Sequence, residues 1–114
     1  MTQGAQKYDL TQKKCKPCEG GVPPLKDDEI VEKLKLLDGW KYTGGRIGKS
    51  FSFKDYYETI EFVNAVAWIS NREGHHPDLE VGYNTCTVHY MTHAIGGMSE
   101  NDFICAAKID RLLK

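Results

Sequence analysis

The chain has 114 residues, enough for one compact domain with a modest core and too few for two. Fifteen Lys and Arg against sixteen Asp and Glu leave a formal charge of −1, which argues against a nucleic-acid binder, since that needs a basic excess. With 40% hydrophobic and 27% charged residues, the composition is that of a globular domain rather than a disordered chain.

Residues 1–26 read as an irregular leader and residues 27–114 as a single folded domain. Met1 to Leu10 lack the apolar run of a secretory signal. The longest stretch without Asp, Glu, Lys or Arg, Val81 to Ser99, is too polar to span a bilayer, so no membrane association is expected. Four Cys without a signal fit reduced thiols and a cytoplasmic location, or an organelle matrix after removal of a transit peptide.

Asp27, Asp28 and Glu29 favour a helix start, and Ile30, Leu34 and Leu37 continue it at helical spacing until Gly39. Trp40 to Tyr42 and Arg46 to Phe53 then read as two strands around Gly44 and Gly45. A long helix follows from a cap at Asp55 to a stop at Gly74. Its main apolar stripe is Tyr56, Ile60, Val63, Ala67 and Ser70, with Phe62, Val66 and Ile69 beside it. Leu79 to Tyr83 and Thr85 to Thr92 give two more strands, and Ser99 with Asp102 resembles a capping box that opens the last helix. The order is α-β-β-α-β-β-α. Two hairpins around one helix predict an α+β fold, a four-stranded antiparallel sheet with three helices packed on one face.

All four His lie between positions 75 and 93. His75 and His76 fall at a helix–strand junction stiffened by Pro77, and His89 and His93 on or just beyond a strand. An imidazole with a pKa of about 6.5 transfers protons in either direction near neutrality. Metal binding fits less well. Adjacent His75 and His76 point apart in extended chain, and His89 and His93 would stand roughly 13 Å apart on a strand. No metal is therefore expected. Cys15 and Cys18 form a CxxC without the second pair of a zinc ribbon or the strand–helix context of a redox motif, so a loop with two reduced thiols is the simpler reading. Trp40 fits either the core or a stacking position on a flat heterocycle.

From Asn71 to Asp102 the chain resembles a known family. His75, His76 and Pro77 are followed after five residues by Tyr83, after nine more by His93 and after eight more by Asp102. That spacing resembles the signature of the pterin-4a-carbinolamine dehydratases, also called 4a-hydroxytetrahydrobiopterin dehydratases. Gly39–Trp40, Phe51 to Tyr56 and Thr92–His93 resemble further family motifs, and Cys15 to Leu25 looks like the CxPCEGGxPPL leader of bacterial and plant members.

The resemblance implies dehydration of 4a-hydroxytetrahydrobiopterin to quinonoid dihydrobiopterin within tetrahydrobiopterin recycling, with no cofactor beyond the pterin substrate. It implies His75 and His93 as the acid/base pair, with His76, Pro77, Trp40, Thr92 and Asp102 around the substrate. In this reading Asp102 holds His93 in one tautomer and Trp40 walls the ring. It also implies a homodimer or homotetramer. A non-catalytic binding or dimerisation module on the same fold is the alternative. One departure stands out: relatives usually carry an ionisable residue at the position of Asn71, and Glu73 is expected on the wrong helix face to replace it. The departure bears on rate and pH optimum rather than on reaction type.

Overall fold

The structure, a computed structural model, describes residues 9–17 and 22–114, so Cys18 of the CxxC lies outside the described residues. Three helices, α1 (Asp27–Leu34), α2 (Tyr56–Glu73) and α3 (Glu100–Arg111), accompany four strands, β1 (Lys41–Thr43), β2 (Arg46–Ser52), β3 (Asp78–Val81) and β4 (Thr85–Tyr90). The expected α+β fold and element order are both present. The strands pair antiparallel in the order β1-β2-β4-β3, with Gly48 opposite His89 and Leu79 opposite Val88.

Period-two alternation divides the sheet into two chemistries. Ile47, Phe51, Cys86, Val88 and Tyr90 are buried and join the core with Ile30, Phe62, Val66, Phe103, Ile104 and Ile109 from the helices. Full burial of each such large apolar side chain contributes about 1.5–3 kcal/mol. The opposite face is polar: the Ser50 and Thr87 hydroxyls meet at 2.7 Å, and His89 Nε2 lies 2.8 Å from Glu80.

Helix α2 starts where the Asp55 carboxylate accepts the Glu58 N–H at 2.9 Å, and ends at Gly74. Gly74 has φ 64°, a left-handed conformation that costs glycine no Cβ clash. The buried stripe of α2 is Thr59, Phe62, Val66 and Ile69, whereas Tyr56 and Ala67 of the expected main stripe are exposed. The apolar residues are numerous enough to trace two faces, and packing against Phe51 and Phe53 selects the one bearing Phe62. Helix α1 stops at Leu34 rather than Leu37, because Lys35, Leu36 and Leu37 make tighter i to i+3 bonds. The third strand ends at Val81, where the Gly82 N–H turns back to the Thr85 carbonyl at 2.8 Å.

The described part of the leader packs on the body. Leu10 is buried, and Leu25 N–H donates to the Met98 carbonyl at 2.8 Å. Along α3, Asn101 accepts from Lys16 N–H at 3.0 Å and donates to the Lys16 carbonyl at 2.6 Å. Asn101 and Cys105 stand one helical turn apart, so a single face of α3 receives Cys15 and Lys16.

Candidate active site

Where α2 turns at Gly74 into β3, and β4 runs out into the 3-10 turn His93–Ile95, the chain encloses a cavity of about 390 Å³. His75 and His76 line it from one side, Met91, Thr92, His93 and Ala94 from another, and Cys15, Lys16 and Pro17 of the leader close a third. His75, His76, Thr92 and His93 therefore line one cavity. Pro77 follows directly on His76 but does not line the cavity, and His89 belongs to the polar face of the sheet.

His75 is the most constrained of the three histidines. Its ring stacks on Tyr90, with centroids 5.6 Å apart and planes 14° from parallel. Its Nε2 lies 2.6 Å from Oδ1 of Asp102, a fully buried carboxylate. Oδ2 of Asp102 accepts from the Thr92 hydroxyl and from Ser99 N–H, both at 2.9 Å. The Ser99 bond is the capping contact expected at the start of α3, so one carboxylate both caps the helix and anchors the imidazole. Burial works against a charged imidazolium at His75, but the hydrogen bond and charge of Asp102, helped by nearby Cys105, outweigh it and raise the pKa above the usual histidine value. His76 and His93 are exposed at the mouth.

Two expectations need correction. Asp102 is placed on His75 and not on His93, because the first turn of α3 lies under the α2–β3 junction while His93 projects from the 3-10 turn beyond β4. Trp40 is a core residue and does not line the cavity. Its indole N–H donates to Asp110 at 3.0 Å, and its ring packs edge-on against Phe51 at 6.1 Å.

Glu73 lies on a different face of α2 from Asn71, as helix periodicity predicts, and that face borders the cavity. Glu73 accepts Cys15 N–H at 2.9 Å and Lys108 Nζ at 2.6 Å, and those bonds outweigh its burial and hold its pKa below the usual carboxylate range. It is a clamp on the leader. Asn71 is exposed and away from the cavity, so the departure at that position leaves the cavity wall unchanged. Sequence reasoning missed the wall formed by Lys16 and Asn101, and the only signal for it was the polar spacing along α3. Among the described residues, no three His, Cys, Asp or Glu side chains are grouped so as to hold a metal ion, and no helix is long and apolar enough to cross a membrane.

A small α+β domain with a cavity lined by three histidines, one of them paired with a buried aspartate, is the class that fold and site define. The chain belongs to the pterin 4 alpha carbinolamine dehydratase family, whose pattern matches residues 23–112. A protein of Nitrosospira multiformis that carries the provisional name pterin-4-alpha-carbinolamine dehydratase is 66% identical over 106 residues, 93% of this chain and 94% of that one. Among solved structures, a transcriptional coactivator/pterin dehydratase from Brucella melitensis superposes with a TM-score of 0.76 at 31% identity, covering 80% of this chain and 99% of that one. A pterin dehydratase-like protein identified as a RuBisCO assembly factor in the alpha-carboxysome superposes with a TM-score of 0.58 at 26% identity, over 66% and 89% of the two chains. Family membership supports a dehydratase, a lyase activity, for this protein.

Proposed function

We propose that this protein dehydrates 4a-hydroxytetrahydrobiopterin to quinonoid dihydrobiopterin by histidine general acid/base catalysis, supplying a reductase that completes tetrahydrobiopterin recycling in the cytoplasm. In that reaction the C4a–O bond breaks and the hydroxyl leaves as water. The N5–H proton is removed, and its electron pair forms the C4a–N5 double bond. One acid and one base suffice, and no electron carrier is required.

The observation that carries the reading is His75 locked to buried Asp102 at the wall of a cavity that also presents His76 and His93. Asp102 stabilises the imidazolium and occupies Nε2, leaving Nδ1 for a ligand. His75 is thereby suited to protonate the departing hydroxyl. Exposed His93 takes the N5 proton, and His76 orients the pterin, with Thr92 acting through Asp102. A homodimer or homotetramer is part of the proposal, supported by the exposed aromatics Tyr57 (77%) and Trp68 (63%) on the outer side of α2; sedimentation velocity reads the assembly state.

The test generates the 4a-hydroxytetrahydropterin with an aromatic amino acid hydroxylase and follows quinonoid product by absorbance. Acceleration over the spontaneous rate, lost in His75→Ala and in His93→Ala, supports the reading. A folded wild-type protein without acceleration overturns it. The alternative, a non-catalytic binding module, draws on the two solved relatives described as a coactivator/dehydratase and as an assembly factor, and it would gain from that second result.

A further inference from the structure

Cys15 and Cys105 stand 90 positions apart in sequence, yet their sulfur atoms are in contact at 3.5 Å. The leader is held in this register by bonds that do not involve sulfur: Cys15 N–H to Glu73, and the reciprocal pair between Lys16 and Asn101. The two thiols differ in access. Cys15 is half-buried and forms part of the cavity wall, while Cys105 is fully buried on α3. They also differ in acidity. The hydrogen bond from Cys15, together with an imidazolium at His75, favours a thiolate at Cys105 despite its burial, and Cys15 is pushed strongly the other way.

We infer that Cys15 and Cys105 form an oxidisable dithiol, a modification site at which a small hydroperoxide entering the cavity closes a disulfide between the leader and α3. Across the 3.5 Å contact the Cys15 proton passes to the Cys105 thiolate, and the Cys15 sulfur, the one the cavity reaches, attacks one peroxide oxygen; the O–O bond breaks, the leaving hydroxide takes a solvent proton and departs as water, and Cys15 becomes a sulfenic acid. The Cys105 sulfur then attacks the Cys15 sulfur. The S–S bond forms, the S–O bond breaks, and the hydroxyl leaves as a second water with the Cys105 proton. The two sulfurs together lose two electrons and the peroxide gains them. A thiol-exchanging reductant reverses the change. Because Cys15, Lys16 and Pro17 are wall residues, the bond fixes one side of the cavity covalently to α3.

The experiment treats the folded chain with hydrogen peroxide and reads free thiols and intact mass, in wild type and in the variant Cys18→Ser/Cys86→Ala. In the variant, which retains only Cys15 and Cys105, both thiols should disappear with the loss of two hydrogen masses and return with dithiothreitol. Adding Cys105→Ala should replace that loss by a gain of oxygen on Cys15. In wild type, cleavage after Glu100 separates Cys86 from Cys105, and fragmentation before Pro17 separates Cys15 from Cys18, so the link is mapped without relying on a variant. Persistence of both thiols, a gain of oxygen in the two-cysteine variant, or a wild-type link from Cys105 to Cys18 or Cys86 would each overturn the inference. None of these readouts depends on the reaction proposed above.

Discussion

Helix α3 buries two carboxylates two turns apart, and they are put to different ends. Asp110 accepts the Trp40 indole N–H at 3.0 Å and Lys49 Nζ at 2.8 Å, while Lys49 also donates to the Asp38 carbonyl. Asp102 accepts from Thr92 and Ser99 and is paired with His75 at 2.6 Å. The first cluster pairs its carboxylate with a lysine ammonium. The second is neutralised by a group that gains and loses its proton near pH 7. Burial of a carboxylate therefore does not mark function by itself. What distinguishes the two is whether the partner titrates and whether it borders a cavity.

Perturbing each cluster should separate these roles. The largest effect is expected from His75→Ala, which should lower kcat for dehydration by about 10²–10⁴-fold, the usual contribution of a positioned acid or base, with the fold intact by circular dichroism. Asp102→Ala, which leaves the His75, Thr92 and Ser99 donors without their acceptor, should cost about 3–5 kcal/mol in urea unfolding. The wild-type pH dependence follows from His75. Its folded pKa is raised above the unfolded value of about 6.5, so its stabilisation is complete below that pH and is lost as pH rises through the folded value. The slope is at most about 1.4 kcal/mol per pH unit. In Asp102→Asn the carboxylate charge no longer opposes the burial penalty and only Cys105 still does, so the histidine pKa falls and this slope should shrink; NMR titration of the His75 ring reads the pKa change.

Asp110→Asn should cost a smaller amount, about 1.5–3 kcal/mol for a hydrogen bond to a charged group, and should leave kcat unchanged because nothing in that cluster borders the cavity. A fall in kcat matching that of Asp102→Asn would erase the distinction. Glu80→Gln, on the exposed face of the sheet, should change stability by less than about 1 kcal/mol, since its bond to His89 is made by a carboxylate that is 69% exposed.

The local parts of this molecule were readable from the sequence, and the long-range ones were not. Asp55 and Gly74 delimit α2 because capping chemistry acts within a turn, and the alternation of Thr85 to Tyr90 identifies β4 because a strand has period two. The histidine group was visible because its spacing is distinctive. The partner of Asp102 was not, since the choice between His75 and His93 depends on how α3 lies across the α2–β3 junction. Trp40 was balanced between core and cavity until Asp110, 70 residues later, supplied its hydrogen-bond acceptor. Cys15 reads in the sequence as one of two reduced loop thiols, and its contact with Cys105, 90 residues away, leaves no local signal. Helix periodicity separates Glu73 from Asn71, but it does not reveal that the Glu73 face meets Cys15 and Lys108.

The docking of the leader onto α3 sets an order of events during synthesis. Lys13, Cys15 and Lys16 find Glu100, Cys105 and Asn101, and Thr11 accepts from Arg111, so these partners fall among residues 100–111. Such contacts have near-maximal sequence separation for a chain of this length, and their loop-closure entropy is charged in full before any of them forms. The sheet and α2 can assemble from residues already made, but apart from the Glu73 clamp most of the leader's partners are absent until α3 has emerged from the ribosome. The third wall of the cavity is therefore completed only once α3 has formed.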